Sequence, residues 1–184
     1  MACKILSSAP VYADLKCEPA KNRNRCLYHR GDRRGEFQAS FVKKLGSFEH
    51  ITLLLQTPEY CALGDGDVHS VNAWLGPPGT VTPLHTDPHP NLLCQVRGVK
   101  YVRLYPPSET PRMYPHQSGL NTNSSRVDLR RAGCASFHSD FPEFERACGH
   151  ECALQPGDAL FIPPGWWHYV EACSASVSVS FWWS

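Results

Sequence analysis

Residues 79–98 read GTVTPLHTDPHPNLLCQVRG, and residues 157–168 read GDALFIPPGWWH. Both stretches place short runs of strand-forming residues between glycine and proline turns. The first stretch contains His85 and Asp87, and the second ends at His168. Because side chains two apart on a strand point to the same face, we expect His85 and Asp87 to face the interior together.

These three polar residues form a donor set that suits a metal ion. His168 follows the turn Pro163-Pro164-Gly165, so it is predicted to arrive from a separate strand. Two imidazoles and one carboxylate can occupy one face of an octahedron and leave the other face open, as in non-haem Fe(II) oxygenases. A structural zinc site would instead complete its sphere with protein atoms. We therefore predict that His85, Asp87 and His168 are the metal ligands and the catalytic centre.

His89 is the rival to His85 as a ligand, because it lies four residues further along the chain. On a strand, that spacing keeps the same face but moves the side chain about 13 Å away. Pro88 and Pro90 flank His89, which disfavours a strand at this point. We interpret His89 as a residue of the rim, within reach of a substrate.

The remaining signals from residue 48 onward are those of short strands separated by tight turns. Closely spaced strands of this kind predict an all-β fold, a double-stranded β-helix (cupin or jelly roll) with few short helices. Short helices are predicted at Phe37–Leu45 and Phe141–Ala147. The predicted strands are Val68–Leu75, Thr80–His85, Asn91–Arg97, Lys100–Tyr105, Ala159–Ile162, Trp167–Ala172 and Ser176–Trp182.

The last of these strands alternates between two kinds of side chain. Val177, Val179 and Phe181 share one face, and serines alternate with them on the other. Such a period of two is typical of a strand whose two faces meet different surroundings.

Composition divides the chain into two parts and excludes several classes of protein. Residues 1–47 are polar and rich in arginine, and we predict a divergent, poorly ordered segment there, with a nucleic-acid patch as the alternative. Residues 48–184 are predicted to be one cupin-like domain. The net charge of +1 gives no signal for nucleic acid or membrane binding. The beginning of the chain lacks the apolar run of a secretory signal, so an intracellular location is expected.

Nine cysteines is a high number for 184 residues. The odd count and the missing signal favour reduced thiols over disulfides. Cys134, Cys148, His150 and Cys152 are close enough in sequence to raise a zinc site as an alternative, although paired C-x2-C elements are missing.

An oxygenase that uses 2-oxoglutarate also needs a cation for the distal carboxylate of that co-substrate. Lys100, Arg97 and Arg103 are the candidates, since they lie on or beside the two predicted strands that follow the first motif. The spacing from Gly98 leaves open which of them points inward, and a lysine facing solvent is the alternative for Lys100.

The motifs together resemble the JmjC family of Fe(II)- and 2-oxoglutarate-dependent oxygenases. The resemblance covers roughly residues 58–184 and is closest to the JmjC-only subgroup of arginyl hydroxylases and lysine demethylase 8. Three stretches carry it, namely NAWLGPPGTVTPLHTDPHPNLLCQVRGVKYVRLYPP at 72–107, LQPGDALFIPPGWWHYV at 154–170 and SVSFWWS at 178–184. The resemblance implies Fe(II) on His85, Asp87 and His168, with 2-oxoglutarate and O2 as co-substrates and Lys100 paired with the distal carboxylate.

The same resemblance assigns four more residues to the co-substrate pocket. Thr82 and Asn91 would form hydrogen bonds with 2-oxoglutarate. Trp74 and Trp182 would form a wall of the pocket, and the alternative interpretation of both is an ordinary aromatic residue of the core. The implied activity is dioxygenase hydroxylation of a protein side chain, either C-hydroxylation of arginine or demethylation of N-methyl-lysine. The implied partner is a histone or another protein bearing arginine or lysine, and the implied location is the nucleus, as for a chromatin regulator.

One departure from the family keeps two alternatives open. The family usually contributes a tyrosine and a glutamine from a run reading Tyr–Leu–Ala–Gln–His upstream, whereas residues 37–50 read FQASFVKKLGSFEH. A catalytically impaired cupin-like module that binds a protein tail is therefore the second hypothesis. A metal-dependent hydrolase or peptidase is the third, because two histidines and one acid also suit catalytic zinc.

Overall fold

The protein was analysed as a computed structural model, which describes residues 4–6, 41–44, 57–62 and 67–184. Ten strands dominate this part of the chain. They are β1 (Lys4–Leu6), β2 (Phe41–Lys44), β3 (Val68–Gly76), β4 (Val81–Thr86), β5 (Asn91–Arg97), β6 (Lys100–Tyr105), β7 (His150–Leu154), β8 (Ala159–Ile162), β9 (Trp167–Ala172) and β10 (Ser176–Trp183). The helical elements are the α-helix α1 (Ala135–Asp140) and 3-10 turns at Glu59–Ala62, Pro107–Arg112, Leu129–Arg131 and Phe144–Arg146.

The strands form two sheets in which every described pair is antiparallel. The larger sheet has the order β1-β8-β5-β10-β3-β2, and the smaller has the order β4-β9-β6-β7. Neighbours in each sheet are distant in sequence, as in a jelly roll whose strands alternate between two sheets. The predicted all-β, double-stranded β-helix fold with few short helices is confirmed.

Several local predictions differ from the structure. Phe41–Lys44 is a strand rather than part of a helix, because its backbone pairs with β3, with Phe41 opposite Leu75. Only Phe144–Arg146 of the second predicted helix is helical, as a single 3-10 turn. Strand β7 and helix α1 were not predicted, since neither shows a clear apolar period.

The proposed division at residue 47 stays a prediction. Most of residues 1–47 lie outside the described part of the chain, which includes only β1 and β2 from that segment. Strand β1 pairs with β8 and strand β2 pairs with β3, so both belong to the larger sheet. No helix within the described ranges is long and apolar enough to cross a membrane.

The apolar residues form three clusters, one between the sheets and one on the outer face of each. Leu104, Leu160 and Ile162 belong to the inner cluster and are almost fully buried. On the outer face of the smaller sheet, Tyr105 and Tyr169 pack against aromatic residues that follow α1 or belong to it. The outer face of the larger sheet carries a third cluster.

Strand β10 shows why a cavity forms between the sheets. Its apolar residues Val179, Phe181 and Trp183 belong to the outer cluster of the larger sheet. The alternating serines therefore face the interior, and all three of them (Ser176, Ser178 and Ser180) are buried. Small side chains on the inner face leave room that larger residues would fill.

The turn between β5 and β6 depends on a glycine. Gly98 has a backbone φ of 73°, a left-handed conformation that residues with a side chain rarely adopt. A Cβ atom at this position would also lie 2.2 Å from the carbonyl oxygen of Ala175. Gly119 provides a comparison, because its φ is 89° but a Cβ atom there would meet no atom within 4 Å.

We expect Gly98→Ala to lower the free energy of unfolding by about 2–5 kcal/mol, from left-handed strain of about 1–2 kcal/mol plus the cost of crowding. Gly119→Ala should cost only the strain, about 1–2 kcal/mol. Urea unfolding of both variants measures the difference. Equal losses would show that the close approach of Ala175 has no energetic consequence.

Candidate active site and metal centre

The pairing of β4 with β9 brings together two residues that are far apart in sequence. His85 lies directly opposite His168 in this ladder, and their ring centroids are 4.1 Å apart. His168 is 3% exposed, whereas His85 is only partly buried and lies nearer the mouth of the site. The two imidazoles therefore meet because of backbone register, as the separation of the two motifs onto different strands predicted.

A β-bulge in β4 sets which side chains face inward. Thr82 pairs with Val170 and His85 pairs with His168, so three steps on β4 oppose two steps on β9. Strict alternation would turn Thr82 and His85 to opposite faces, but the extra residue of the bulge restores a shared face. Both side chains consequently line the same cavity.

Asp87 completes the group. Its carboxylate oxygens lie 3.6 Å from Nε2 of His85 and 3.4 Å from Nε2 of His168. The backbone N–H of Gly165 donates to the carbonyl oxygen of Asp87 over 2.8 Å, which ties the two motif turns together. Within the described ranges, these three residues are the one group of His, Cys, Asp or Glu whose ligand atoms all lie within 4.8 Å of one another.

Backbone contacts orient both imidazoles for a metal ion. Nδ1 of His85 lies 2.8 Å from the carbonyl oxygen of Pro83, and Nδ1 of His168 lies 3.0 Å from that of Trp166. A carbonyl oxygen can only accept, so each Nδ1 carries the proton and donates it. Each ring then presents Nε2 toward Asp87, the arrangement in which a metal-bound histidine is usually held.

The protonation states also fit a metal ion. Burial, with a contribution from His168, lowers the pKa of His85 to about 4, so the ring is neutral near pH 7. Burial alone would raise the pKa of Asp87, but its contacts with His168 and His85 outweigh burial and hold that pKa below its ordinary value. A neutral imidazole and an ionised carboxylate are the forms that bind metal. The donor set, its geometry and its charge therefore all fit a divalent ion.

One cavity of about 90 Å³ adjoins this group. That volume is several times the ~10–15 Å³ that a single water needs. All eight residues assigned to the site from the sequence line it, namely His85, Asp87, His168, Lys100, Asn91, Thr82, Trp74 and Trp182. The structure thus brings all eight residues together at one cavity.

Lys100 is the cation of this cavity. It shares the inner face of β6 with Val102 and Leu104, and the residue is 8% exposed. Within the described ranges, Lys100 forms no ion pair with a carboxylate. Burial lowers its pKa to about 8, so the lysine is still mainly protonated at neutral pH. A buried cation without a counter-ion is suited to an anionic ligand.

The two other candidate cations point elsewhere. Arg103 lies on the opposite face of β6, where its guanidinium forms a 2.8 Å ion pair with Glu151. Arg97 is exposed at the end of β5. The sequence alone leaves open which of the three cations points inward after the turn at Gly98. In the structure it is Lys100.

Two buried polar atoms of the cavity wall have no hydrogen-bond partner in the described part of the chain. They are Oδ1 of Asn91 and Nε1 of Trp182. Buried polar atoms are normally paired, so unpaired ones beside a cavity indicate where a polar ligand belongs. Trp74 differs, because its Nε1 donates to Oγ of Ser180 over 2.9 Å and the ring is thereby fixed in place.

Sequence reasoning missed the apolar part of the wall. Leu93, Ile162 and Val170 line the cavity beside the polar residues. Two of them could have been found by alternation, since Leu93 is two residues after Asn91 and Val170 is two after His168. Ile162 immediately precedes the turn that leads to His168.

The alternative ligands do not join the group. The His89 ring lies 5.0 Å from the ring of His69, and His89 is not among the residues that line the cavity. Its place at the rim stays a prediction. The alternative zinc site is not formed. Cys134 and Cys148 are exposed, and His150 stacks on Trp166.

Comparison with known proteins agrees with this geometry. A family model described as a cupin-like domain matches residues 20–184. Lysine-specific demethylase 8 of Danio rerio is 50% identical over 132 residues, covering 71% of this chain and 32% of the relative. Lysine-specific demethylase JMJ30 of Arabidopsis thaliana is 49% identical over 127 residues, covering 69% and 29%.

A third relative, Jumonji C domain-containing protein 5 of Drosophila melanogaster, is 42% identical over 132 residues, covering 70% of this chain and 32% of the relative. The chain thus spans about a third of the length of the curated relatives it matches. The family match covers most of the chain, and the relatives carry the JmjC name or the demethylase name of that group. The chain therefore belongs to the cupin-like domain family, within its JmjC group.

Proposed function

We propose that this chain is an Fe(II)- and 2-oxoglutarate-dependent dioxygenase that hydroxylates a side chain of a protein. The observation that carries the proposal is one cavity holding the His85, Asp87 and His168 group together with the buried cation of Lys100. A metal-binding face and an unpaired cation in the same small space match the two ends of a 2-oxo dicarboxylic acid.

His85, Asp87 and His168 would hold the iron, and the backbone carbonyls of Pro83 and Trp166 keep both rings turned toward it. When bound, Fe(II) supplies the oxidative chemistry that couples O2 and 2-oxoglutarate to the hydroxylation of a C–H bond. These three residues would leave coordination positions for the co-substrates, because the described part of the chain brings no fourth His, Cys, Asp or Glu to the group.

The other residues bind and orient the co-substrate. Lys100 would pair with the distal carboxylate, and Asn91 and Thr82, which line the same cavity, would form hydrogen bonds with the co-substrate. The indole of Trp74, fixed by Ser180, and the ring of Trp182 line the cavity and would exclude water around the bound co-substrate. Exclusion of water strengthens each polar contact inside.

The substrate is proposed to be arginine or N-methyl-lysine in a protein. Two of the relatives are named lysine-specific demethylases, which supports the second choice. The products separate the two reactions, because demethylation releases formaldehyde and arginine hydroxylation retains one added oxygen on the peptide. Mass spectrometry of histone peptides after incubation with the chain, iron and 2-oxoglutarate decides between them.

The buried Lys100 favours this proposal over a metal-dependent hydrolase. A zinc hydrolase with the same ligands needs no buried cation for its chemistry, and burying an unpaired charge is costly. The upstream difference that favoured a binding module lies largely outside the described residues, since only 41–44 of residues 37–50 are described.

We expect His85→Ala to lose bound iron and to lower succinate release at least about 100-fold, because the residue supplies one of the three donors. His89→Ala is the matched control, and it should keep its iron and most of its turnover. Metal analysis and a succinate assay with a peptide substrate measure both effects. Equal losses in the two variants would contradict the choice of ligand.

Lys100→Met should weaken 2-oxoglutarate binding at least about 30-fold, since truncating one partner of a buried charge pair costs about 2–5 kcal/mol. Arg97→Met removes an exposed cation nearby and should leave the affinity within about twofold. Calorimetric titration of the Mn(II)-loaded protein avoids turnover. An unchanged affinity in Lys100→Met would remove this lysine from the site.

The affinity for 2-oxoglutarate should also fall as the pH rises through about 8. Below that value the Lys100 ammonium is charged and pairs with the carboxylate, and above it the amine is neutral. The dissociation constant is expected to increase about tenfold between pH 7 and pH 9, following the pKa of Lys100. Titrations across this range should show no such increase in Lys100→Met, and its persistence there would assign the effect to another group.

A further inference from the structure

Lys100 borders a second cavity in addition to the one beside the metal group. The second cavity, here called the inner chamber, has a volume of about 20 Å³. Thr82, Trp74 and Val170 separate the two spaces and line both of them. The rest of the inner-chamber wall includes Gly76, Thr80, Ala172 and Ser176.

The inner chamber lies on the far side of Lys100 from the metal group. Along β9, His168 and Ala172 are four residues apart, which corresponds to about 13 Å. Ala172 lies directly opposite Lys100 in the ladder between β6 and β9. Its small side chain leaves space beside the lysine, and Lys100 lines both cavities.

Ser176 gives the inner chamber an unused polar group. The residue is 4% exposed, and its buried Oγ has no hydrogen-bond partner among the residues that the structure describes. The two other inward serines of β10 differ, because Ser178 donates to Gln95 over 2.6 Å and Ser180 accepts from Trp74. The hydroxyl of Thr80 is also occupied, since it donates to the carbonyl oxygen of Pro77.

A buried hydroxyl next to a cavity normally pairs with a ligand or an ordered water. The inner chamber exceeds the ~10–15 Å³ needed for one water, so it can hold a water or a single polar group of similar size. Its position beside a cation favours an anionic oxygen over a neutral one.

We propose that the inner chamber extends the co-substrate site and admits the distal carboxylate of a 2-oxo dicarboxylic acid one methylene longer than 2-oxoglutarate. This inference rests on the proposed function. With 2-oxoglutarate, a water occupies the inner chamber and bonds to Ser176. With 2-oxoadipate, a carboxylate oxygen replaces that water, accepts from the Ser176 hydroxyl and still contacts Lys100. Ser176 is thus a residue that determines the permitted length of the co-substrate.

Binding of 2-oxoglutarate and of 2-oxoadipate to the Mn(II)-loaded chain, measured by calorimetric titration at pH 7, tests the proposal without turnover. The unaltered chain should bind the two acids within about tenfold of each other. Ser176→Ala removes the hydroxyl and keeps the space, so it should weaken 2-oxoadipate about tenfold and 2-oxoglutarate by less than about threefold. Ser176→Val also fills the inner chamber and should weaken 2-oxoadipate further, about 30-fold or more.

Ser178→Ala is the matched control, because it removes an equally buried serine of the same row that already has a partner. It should leave the ratio of the two affinities unchanged, even if the protein becomes less stable. Binding of 2-oxoglutarate with 2-oxoadipate weaker by clearly more than about tenfold would overturn this inference alone. Equal effects of the Ser176 variants on both acids would overturn it as well. Failure of both acids to bind would overturn the proposed function together with it.

Discussion

The register between β4 and β9 is the constraint on which the rest of the site depends. It sets His85 opposite His168 and brings Asp87 within 3.6 Å of both rings. A shift of one residue in this ladder would turn one imidazole to the other face of the sheet. The turn at Gly165, which binds the backbone of Asp87, and the segment around Ser124, which pairs with His85, hold the register from either side.

The cavity beside this group reflects a compromise between stability and binding. Serines on the inner face of β10 and Ala172 on β9 occupy little volume, so the sheets do not close completely around Lys100. Leu104, Leu160 and Ile162 fill the remainder of the interior and are almost fully buried. Leaving a lysine without a counter-ion and polar atoms without partners costs stability in the absence of a ligand. The apolar clusters on both outer faces offset that cost.

The chemistry of the site could be predicted from the sequence because it depends on residue types and short spacings. The pair His85 and Asp87 has the two-residue spacing of a strand, although β4 ends at Thr86 and Asp87 lies just beyond it. His168 is marked by the turn that precedes it. The orientation of Lys100 and the position of Thr82 could not be derived in this way. The orientation of Lys100 depends on the conformation of the turn at Gly98, which precedes β6. The position of Thr82 depends on a β-bulge, which the alternation of residues in the sequence does not indicate.

The same limit applies to the fold. Strands with clear alternation or flanking turns were found, whereas β2 and β7 were missed because pairing with a distant strand determines them. Helix α1 has six residues, too few to show a period. In each of these cases the structure depends on long-range contacts that the local sequence pattern does not indicate.

The contacts of Nδ1 in His85 and His168 affect how the sequence around the site can evolve. Their acceptors are main-chain oxygens of Pro83 and Trp166, which every amino acid possesses. Substitution of either residue would leave the main-chain acceptor in place. The tautomer of each ring therefore does not depend on which amino acid occupies that position. Residues around the mouth are therefore free to diversify toward new targets while the orientation of the ligand nitrogens persists.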